Sequence, residues 1–197
     1  MNFLAHAYLS FGHSDVLTGN MISDFVKGKT KFDYAADIQK GIMLHRAIDT
    51  FTDAHEVTKK AMEIFRPHYR LYSGAIIDVV YDHFLASDKS TFKEDELLHF
   101  SQHVYKTLEE KSSQLPLHFT HVLTYMKAEN WLWNYRTTEG LEKSLKGLVR
   151  RAAYIHESDT AIRLFHQHYN LLQSHYEAFM ADVKLFAKQQ FDQAMKE

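Results

Sequence analysis

The sequence predicts an all-α fold, and three observations carry the prediction. Only two prolines and seven glycines punctuate the chain, so long stretches are free of helix breakers. No Asn-Gly or Asp-Gly pair separates alternating apolar runs, and hairpin signals are therefore missing. Near the C-terminus Ile162, Phe165, Tyr169, Leu172, Tyr176, Phe179, Val183 and Phe186 recur at spacings of three and four. That is the period of one long amphipathic helix whose stripe packs on a core.

In chain order, helices are expected near residues 2–11, 15–27, 34–53, 56–66, 72–86, 94–112, 117–128 and 138–152, with the last over 159–194. Pro67 and Pro116 mark breaks between helices. Residues 87–95, with Lys89, Ser90 and Thr91, read as a surface loop. No internal repeat or low-complexity linker divides the chain, so residues 1–197 read as a single helical domain, and the 45% apolar composition is enough to fill its core.

Composition removes several kinds of chemistry. Cysteine is absent, which excludes disulfides, thiolate metal sites and a cysteine nucleophile, so any metal is held by nitrogen and oxygen. The formal charge of -2 excludes a globally basic nucleic-acid binder. The opening MNFLAHAYLS lacks the basic start and the cleavage site of a signal peptide, and no run approaches the ~18 apolar residues of a membrane span. A cytoplasmic, membrane-free protein is the expectation. There is no GxSxG elbow, phosphate-binding glycine loop, GxGxxG turn or HExxH helix. Most of the fourteen histidines, His55, His68, His118 and His121 among them, read as surface or packing residues. The aromatics of NWLWNYR, Trp131, Trp133 and Tyr135, read as core rather than as a ligand platform.

The chemistry is concentrated in the first 85 or so positions. SGAIIDVVYDHFL (73–85) is apolar on nearly every side of a helix, yet it contains Asp78 and Asp82, four residues apart on one face with Cβ atoms ~5–6 Å apart. Buried carboxylates this close are costly unless a cation lies between them. GIMLHRAIDTFTD (41–53) repeats the pattern with His45 and Asp49. GNMISDFVKG (19–28) adds Asp24 among apolar neighbours, and NFLAHAYLS (2–10) adds His6. Together His6, Asp24, His45, Asp78, Asp82 and, from the edge of its helix, His83 make an imidazole and carboxylate set suited to Mn²⁺, Fe²⁺ or Zn²⁺. The structural alternative is a non-catalytic helical scaffold in which Arg46 or Arg70 neutralises the buried aspartates.

MNFLAHAYLS, GNMISDFVKG, GIMLHRAID and DVVYDHFLA, in this order and spacing, resemble the successive motifs of the bacterial acyl carrier protein phosphodiesterases, and the likeness runs through NWLWNYRTTEGLEKSLKGLVRRA in the C-terminal half. The resemblance implies an HD-domain-like helical hydrolase. It implies removal of 4'-phosphopantetheine from a serine of holo acyl carrier protein, dependence on a divalent metal, typically Mn²⁺, and Asp24, His45, Asp78 and Asp82 as the metal set. The His-Asp dipeptide of ordinary HD domains is missing: His45 is followed by Arg46, and the only adjacent pair is the reversed Asp82-His83. The mechanism expected on this basis has a metal-activated water attack phosphorus. Arg46 stabilises the developing charge, and Asp49 or His83 serves as general acid or as an orienting residue. The carrier protein is acidic, which makes Lys27, Lys29 and Lys31 candidates for docking it. The alternative within enzymes is an HD-like phosphohydrolase acting on a nucleotide or other small phosphate ester.

Overall fold

The computed structural model describes residues 1–196, and all regular secondary structure among them is helical. In chain order the helices are α1 Phe3–Tyr8, α2 Ser14–Ile22, α3 Ala36–Ala54, α4 Glu56–Glu63, α5 Arg66–Tyr69 and α6 Ser73–Ser87. They are followed by α7 Glu96–Glu110, α8 Leu117–Ala128, α9 Trp131–Asn134, α10 Thr138–Arg151, α11 Asp159–Gln167 and α12 Tyr169–Ala194. No helix among the described residues is long and apolar enough to cross a membrane.

Three expectations are corrected in detail. The helix expected over 15–27 ends at Ile22 and gives way to a 3₁₀ turn, Ser23–Phe25, and then to a second one, Gly28–Asp33. The helix expected over 159–194 is broken at His168, where φ is -112° and ψ is 19°, so α11 ends at Gln167 and α12 begins at Tyr169. Neither proline nor glycine stands there to announce it. The four-residue α9 was not anticipated; its entry residue Asn130 takes a left-handed conformation, which asparagine tolerates better than most residues.

Helix α6 runs through the interior. Ile77, Val80, Tyr81, Asp82 and Leu85 are fully buried, as its all-round apolar sequence predicts, and the helix packs against α1, α4, α10 and α12. The aromatic stripe of α12 closes one side: Phe179 stacks on Tyr81 at 5.1 Å and Phe186 on Phe51 of α3 at 4.4 Å between ring centres.

Helices α2 and α3 cross at backbone contact. A Cβ placed on Gly19 would stand 2.0 Å from the Ile38 carbonyl oxygen, and one on Gly41 would stand 2.2 Å from that of Val16. The two backbones therefore touch, and only glycine fits at either position. This contact brings the carbonyl of Asn20 on α2 within reach of the His45 ring on α3.

Candidate metal centre

Asn20 organises the site. It is fully buried. Its side-chain amide donates to the His6 carbonyl at 2.9 Å and to the Ser10 hydroxyl at 3.1 Å, which leaves Oδ1 as an acceptor. That oxygen receives Nδ1–H of His6 at 2.9 Å, while the backbone carbonyl of the same residue receives Nδ1–H of His45 at 2.7 Å. Both imidazoles are thereby held with a proton on Nδ1 and with Nε2 pointing the other way. The rings stack at 3.8 Å and 14°.

What the two Nε2 atoms face is the chemical signature of the site. His6 Nε2 lies 3.2 Å from Asp49 Oδ1 and 3.2 Å from the Met1 carbonyl oxygen. His45 Nε2 lies 3.0 Å from Asp49 Oδ2 and 3.2 Å from Asp24 Oδ1. Every partner is an acceptor, so the arrangement calls for positive charge at its centre. His6, His45 and Asp49 each offer a ligand atom, and these atoms lie within 4.8 Å of one another. Two neutral-tautomer imidazoles and a carboxylate on one side, with an open carboxylate opposite, match the donor set that first-row divalent ions take.

Without a metal, the proton on His45 and the Met1 ammonium supply that charge. Burial alone would lower the His45 pKa, but the Asp24 and Asp49 carboxylates outweigh it and hold the pKa at about 9. His6, buried and stacked on His45, is pushed down to about 4. Burial works against the Asp49 carboxylate, yet its hydrogen bonds with the two histidines keep its pKa far below the usual carboxylate range. The Met1 ammonium sits 2.9 Å from Asp78 and 3.3 Å from Asp49, and these carboxylates overcome its burial to raise its pKa to about 11.

The proton on His45 and a metal ion compete for one nitrogen, which gives a prediction. Metal binding at pH 7.5 should release about one proton, and affinity should rise close to tenfold per pH unit up to about pH 9, because below that pH the free protein holds a proton the complex does not. Calorimetry in buffers of different ionisation heat measures the release; affinity independent of pH between 7 and 9 would contradict it.

The site residues expected from sequence divide into two groups. His6, Asp24, His45 and Asp49 converge, and Asp78 joins them through the Met1 ammonium. The side chains of His6 and His45 are 3% and 7% exposed, that of Asp49 is 38% and that of Asp24 is 72%, so the centre is closed on one side and opens to solvent on the other. Asp24 was expected among apolar neighbours; the 3₁₀ turn that ends α2 carries it outward instead.

Asp82 is placed elsewhere. Its two oxygens accept the backbone N–H groups of Leu4 at 2.8 Å and Ala5 at 3.1 Å, so it satisfies the orphan donors at the start of α1. Burial raises its pKa to about 7 even against those two donors. Asp82 thus faces the start of α1, whereas Asp78 contacts the Met1 ammonium directly.

His83 donates Nδ1–H to the Tyr135 carbonyl at 2.8 Å and packs edge-on against Phe84 and Phe165, away from the cluster. Arg46 does not neutralise a buried aspartate: its guanidinium donates to the Val26 carbonyl at 2.9 Å and so braces the strand of chain that follows Asp24. In that same segment Lys27 and Lys29 are exposed and Lys31 is half-buried. Two features were missed from sequence: Asn20, and the central position of Asp49 between both histidines. An asparagine inside an apolar helix segment, GNMISD, was the available signal for the first.

Fold and centre together define a class: an all-helical protein with a histidine and aspartate cluster able to hold a metal ion. Within that class the chain belongs to the acyl carrier protein phosphodiesterase family, whose model matches residues 1–183. It is 31% identical over 189 residues to the acyl carrier protein phosphodiesterase of Klebsiella pneumoniae subsp. pneumoniae, covering 95% of this chain and 98% of that one. It is also 31% identical over 180 residues to the protein of the same name from Yersinia pestis, with 91% and 93% covered. No solved structure matches the chain significantly.

Proposed function

We propose that the chain hydrolyses the phosphodiester joining 4'-phosphopantetheine to a serine of holo acyl carrier protein, releasing the arm and returning the apo protein. One observation carries the reading: within the residues matched to the family, two imidazole Nε2 atoms and a carboxylate converge with both tautomers fixed by Asn20. His6, His45 and Asp49, with Asp24 at the open side, would hold the divalent ion, and the proposal names Mn²⁺. A divalent cation there supplies Lewis acidity and neutralises phosphate charge at neutral pH.

The chain's own residues do the rest. Asn20 keeps the two Nε2 lone pairs turned inward, so no reorientation is needed when substrate arrives. Asp24, at the solvent side with Oδ1 3.2 Å from His45 Nε2, is placed to accept the proton of the water that attacks phosphorus. The serine oxygen leaves with a proton from solvent. Holo carrier protein incubated with the enzyme and Mn²⁺ should lose the mass of one phosphopantetheine, and a chelator should stop the loss. Unchanged substrate mass with metal supplied would sink the proposal.

Docking of an acidic carrier protein beside the centre falls to Lys27, Lys29 and Lys31, which follow Asp24 in an exposed turn. Reversing the three charges should raise KM about tenfold and leave kcat within about twofold, since rim charges act on encounter. A KM unaltered at low salt would return these lysines to the role of a solvated turn.

A further inference from the structure

A cavity of about 1240 Å³ lies beside the metal centre and is lined by none of its ligand candidates. Its inner end is formed by Asn2, Phe3 and Val79. Asn2 follows Met1, whose carbonyl faces His6, and Val79 follows Asp78, so the cavity begins next to the centre. From there it runs along α10 toward α8 and the segment before α11. Tyr125, Trp131 and Tyr135 give it aromatic walls. Trp131 and Tyr135 are thus not only core residues, which is how the sequence alone reads them.

One wall is cationic. Lys143, Lys146, Arg150 and Arg151 all line the cavity from α10, and none of the four takes part in an ion pair among the described residues. The Arg151 and Arg150 guanidiniums stand 3.7 Å and 3.9 Å from the point a Cβ on Gly147 would occupy, so two positive forks share one patch of bare helix. The opposing carboxylates are engaged elsewhere: Glu129 accepts Trp131 Nε1–H at 3.2 Å, and Glu157 accepts the Tyr69 hydroxyl at 3.0 Å and the Thr160 N–H at 2.9 Å. Asp159, the third, sits in the first turn of α11, where the helix dipole favours its charge. At the inner end Asn2 Nδ2 donates to the Tyr135 hydroxyl at 3.3 Å. Burial drives the pKa of that hydroxyl well above its usual value, and Arg151 and Ser144 lie close enough to oppose the rise.

A concave, aromatic and positively charged cavity recognises an anionic organic molecule rather than a flat protein surface. We infer that this cavity binds the phosphorylated arm of the substrate, an elongated amide-bearing phosphate ester, with its phosphate end toward Asn2 and Arg151. The inference rests on the hydrolytic reading above and adds to it the place where the departing half of the substrate lies. The aromatic rings cover the amide-bearing chain, and the α10 cations neutralise phosphate by paired, charge-assisted hydrogen bonds. The volume exceeds the ~300–1,000 Å³ of ordinary ligand clefts, so an arm of this length is accommodated whole.

Calorimetric titration of free 4'-phosphopantetheine into the full chain, with chelator present so that no metal contributes, tests it. Wild type should bind saturably and should bind dephosphorylated pantetheine at least about tenfold more weakly. The R150A/R151A variant, with a far-UV spectrum matching wild type, should lose about tenfold or more in affinity, and R150K/R151K should recover most of it. Equal affinity in R150A/R151A and wild type, or no binding by wild type, would overturn the inference. Arginine-dependent binding together with uncleaved holo carrier protein would sustain the arm site and bring down the hydrolytic reading instead.

Discussion

In the Asp49→Asn variant, kcat/KM for holo carrier protein is expected to fall on the order of a thousandfold, and added Mn²⁺ is expected no longer to raise the melting temperature. Asp49 touches both histidines: Oδ1 lies 3.2 Å from His6 Nε2 and Oδ2 3.0 Å from His45 Nε2. An amide in its place offers one oxygen and turns an N–H₂ toward a lone pair that must remain free. In wild type, metal at a hundredfold excess over Kd should stabilise the fold by ~2.7 kcal/mol, and the variant should lose that increment. The metal-free variant should also lose stability, because His45 and the Met1 ammonium keep their charges and lose a partner. Removing one member of a buried pair costs ~3–5 kcal/mol, and the partial exposure of Asp49 reduces this to about 1–3 kcal/mol. Asp49→Asn with wild-type turnover would remove Asp49 from the centre.

A comparably large effect is expected from Gly41→Ala, though by packing. Alanine ordinarily favours a helix by about 1 kcal/mol over glycine. Here the new methyl would stand 2.2 Å from the Val16 carbonyl oxygen and 2.9 Å from the Gly19 Cα, both backbone atoms that yield only if α2 and α3 separate. The overpacking cost, about 3 kcal/mol or more, exceeds the propensity gain and should lower the melting temperature by roughly 6–12 °C. Separation also draws His45 away from the Asn20 carbonyl, now 2.7 Å from Nδ1, so metal affinity should fall as well. Gly74, whose Cβ would meet only the Met62 Sδ at 3.6 Å, is the control: Gly74→Ala should leave both quantities nearly unchanged. Equal melting temperatures for Gly41→Ala and wild type would show that the helices adjust more freely than close packing permits.

Helix identity was legible wherever apolar periodicity ran long between breakers. Residues 117–128 coincide with α8, and the expected 34–53, 72–86 and 138–152 differ from α3, α6 and α10 by one or two residues at their ends. The break at His168 was hidden because it arises from the docking of α11 and α12 on different partners, with no breaker residue to mark it. In the site, spacing placed Asp78 and Asp82 on one face but did not reveal what that face meets. Asp82 meets the start of α1 and Asp78 the Met1 ammonium, partners more than seventy positions away in sequence. His45 and Asp49 were recognised as a pair four apart, yet the rank of Asp49 depends on His6, which only the tertiary fold brings to its other oxygen. Asn20 was unreadable for the same reason: its two histidines lie 14 and 25 residues away, in opposite directions along the chain.

The central claim is that His6, His45 and Asp49 hold a divalent cation, and bound metal measured after dialysis against Mn²⁺ tests it most directly. Wild type and His83→Ala should retain equal amounts, about one ion or more per chain, whereas His6→Ala and His45→Ala should each retain less than a tenth of that under the same conditions. Wild type that retains no metal, or histidine variants that retain as much as wild type, would contradict the account.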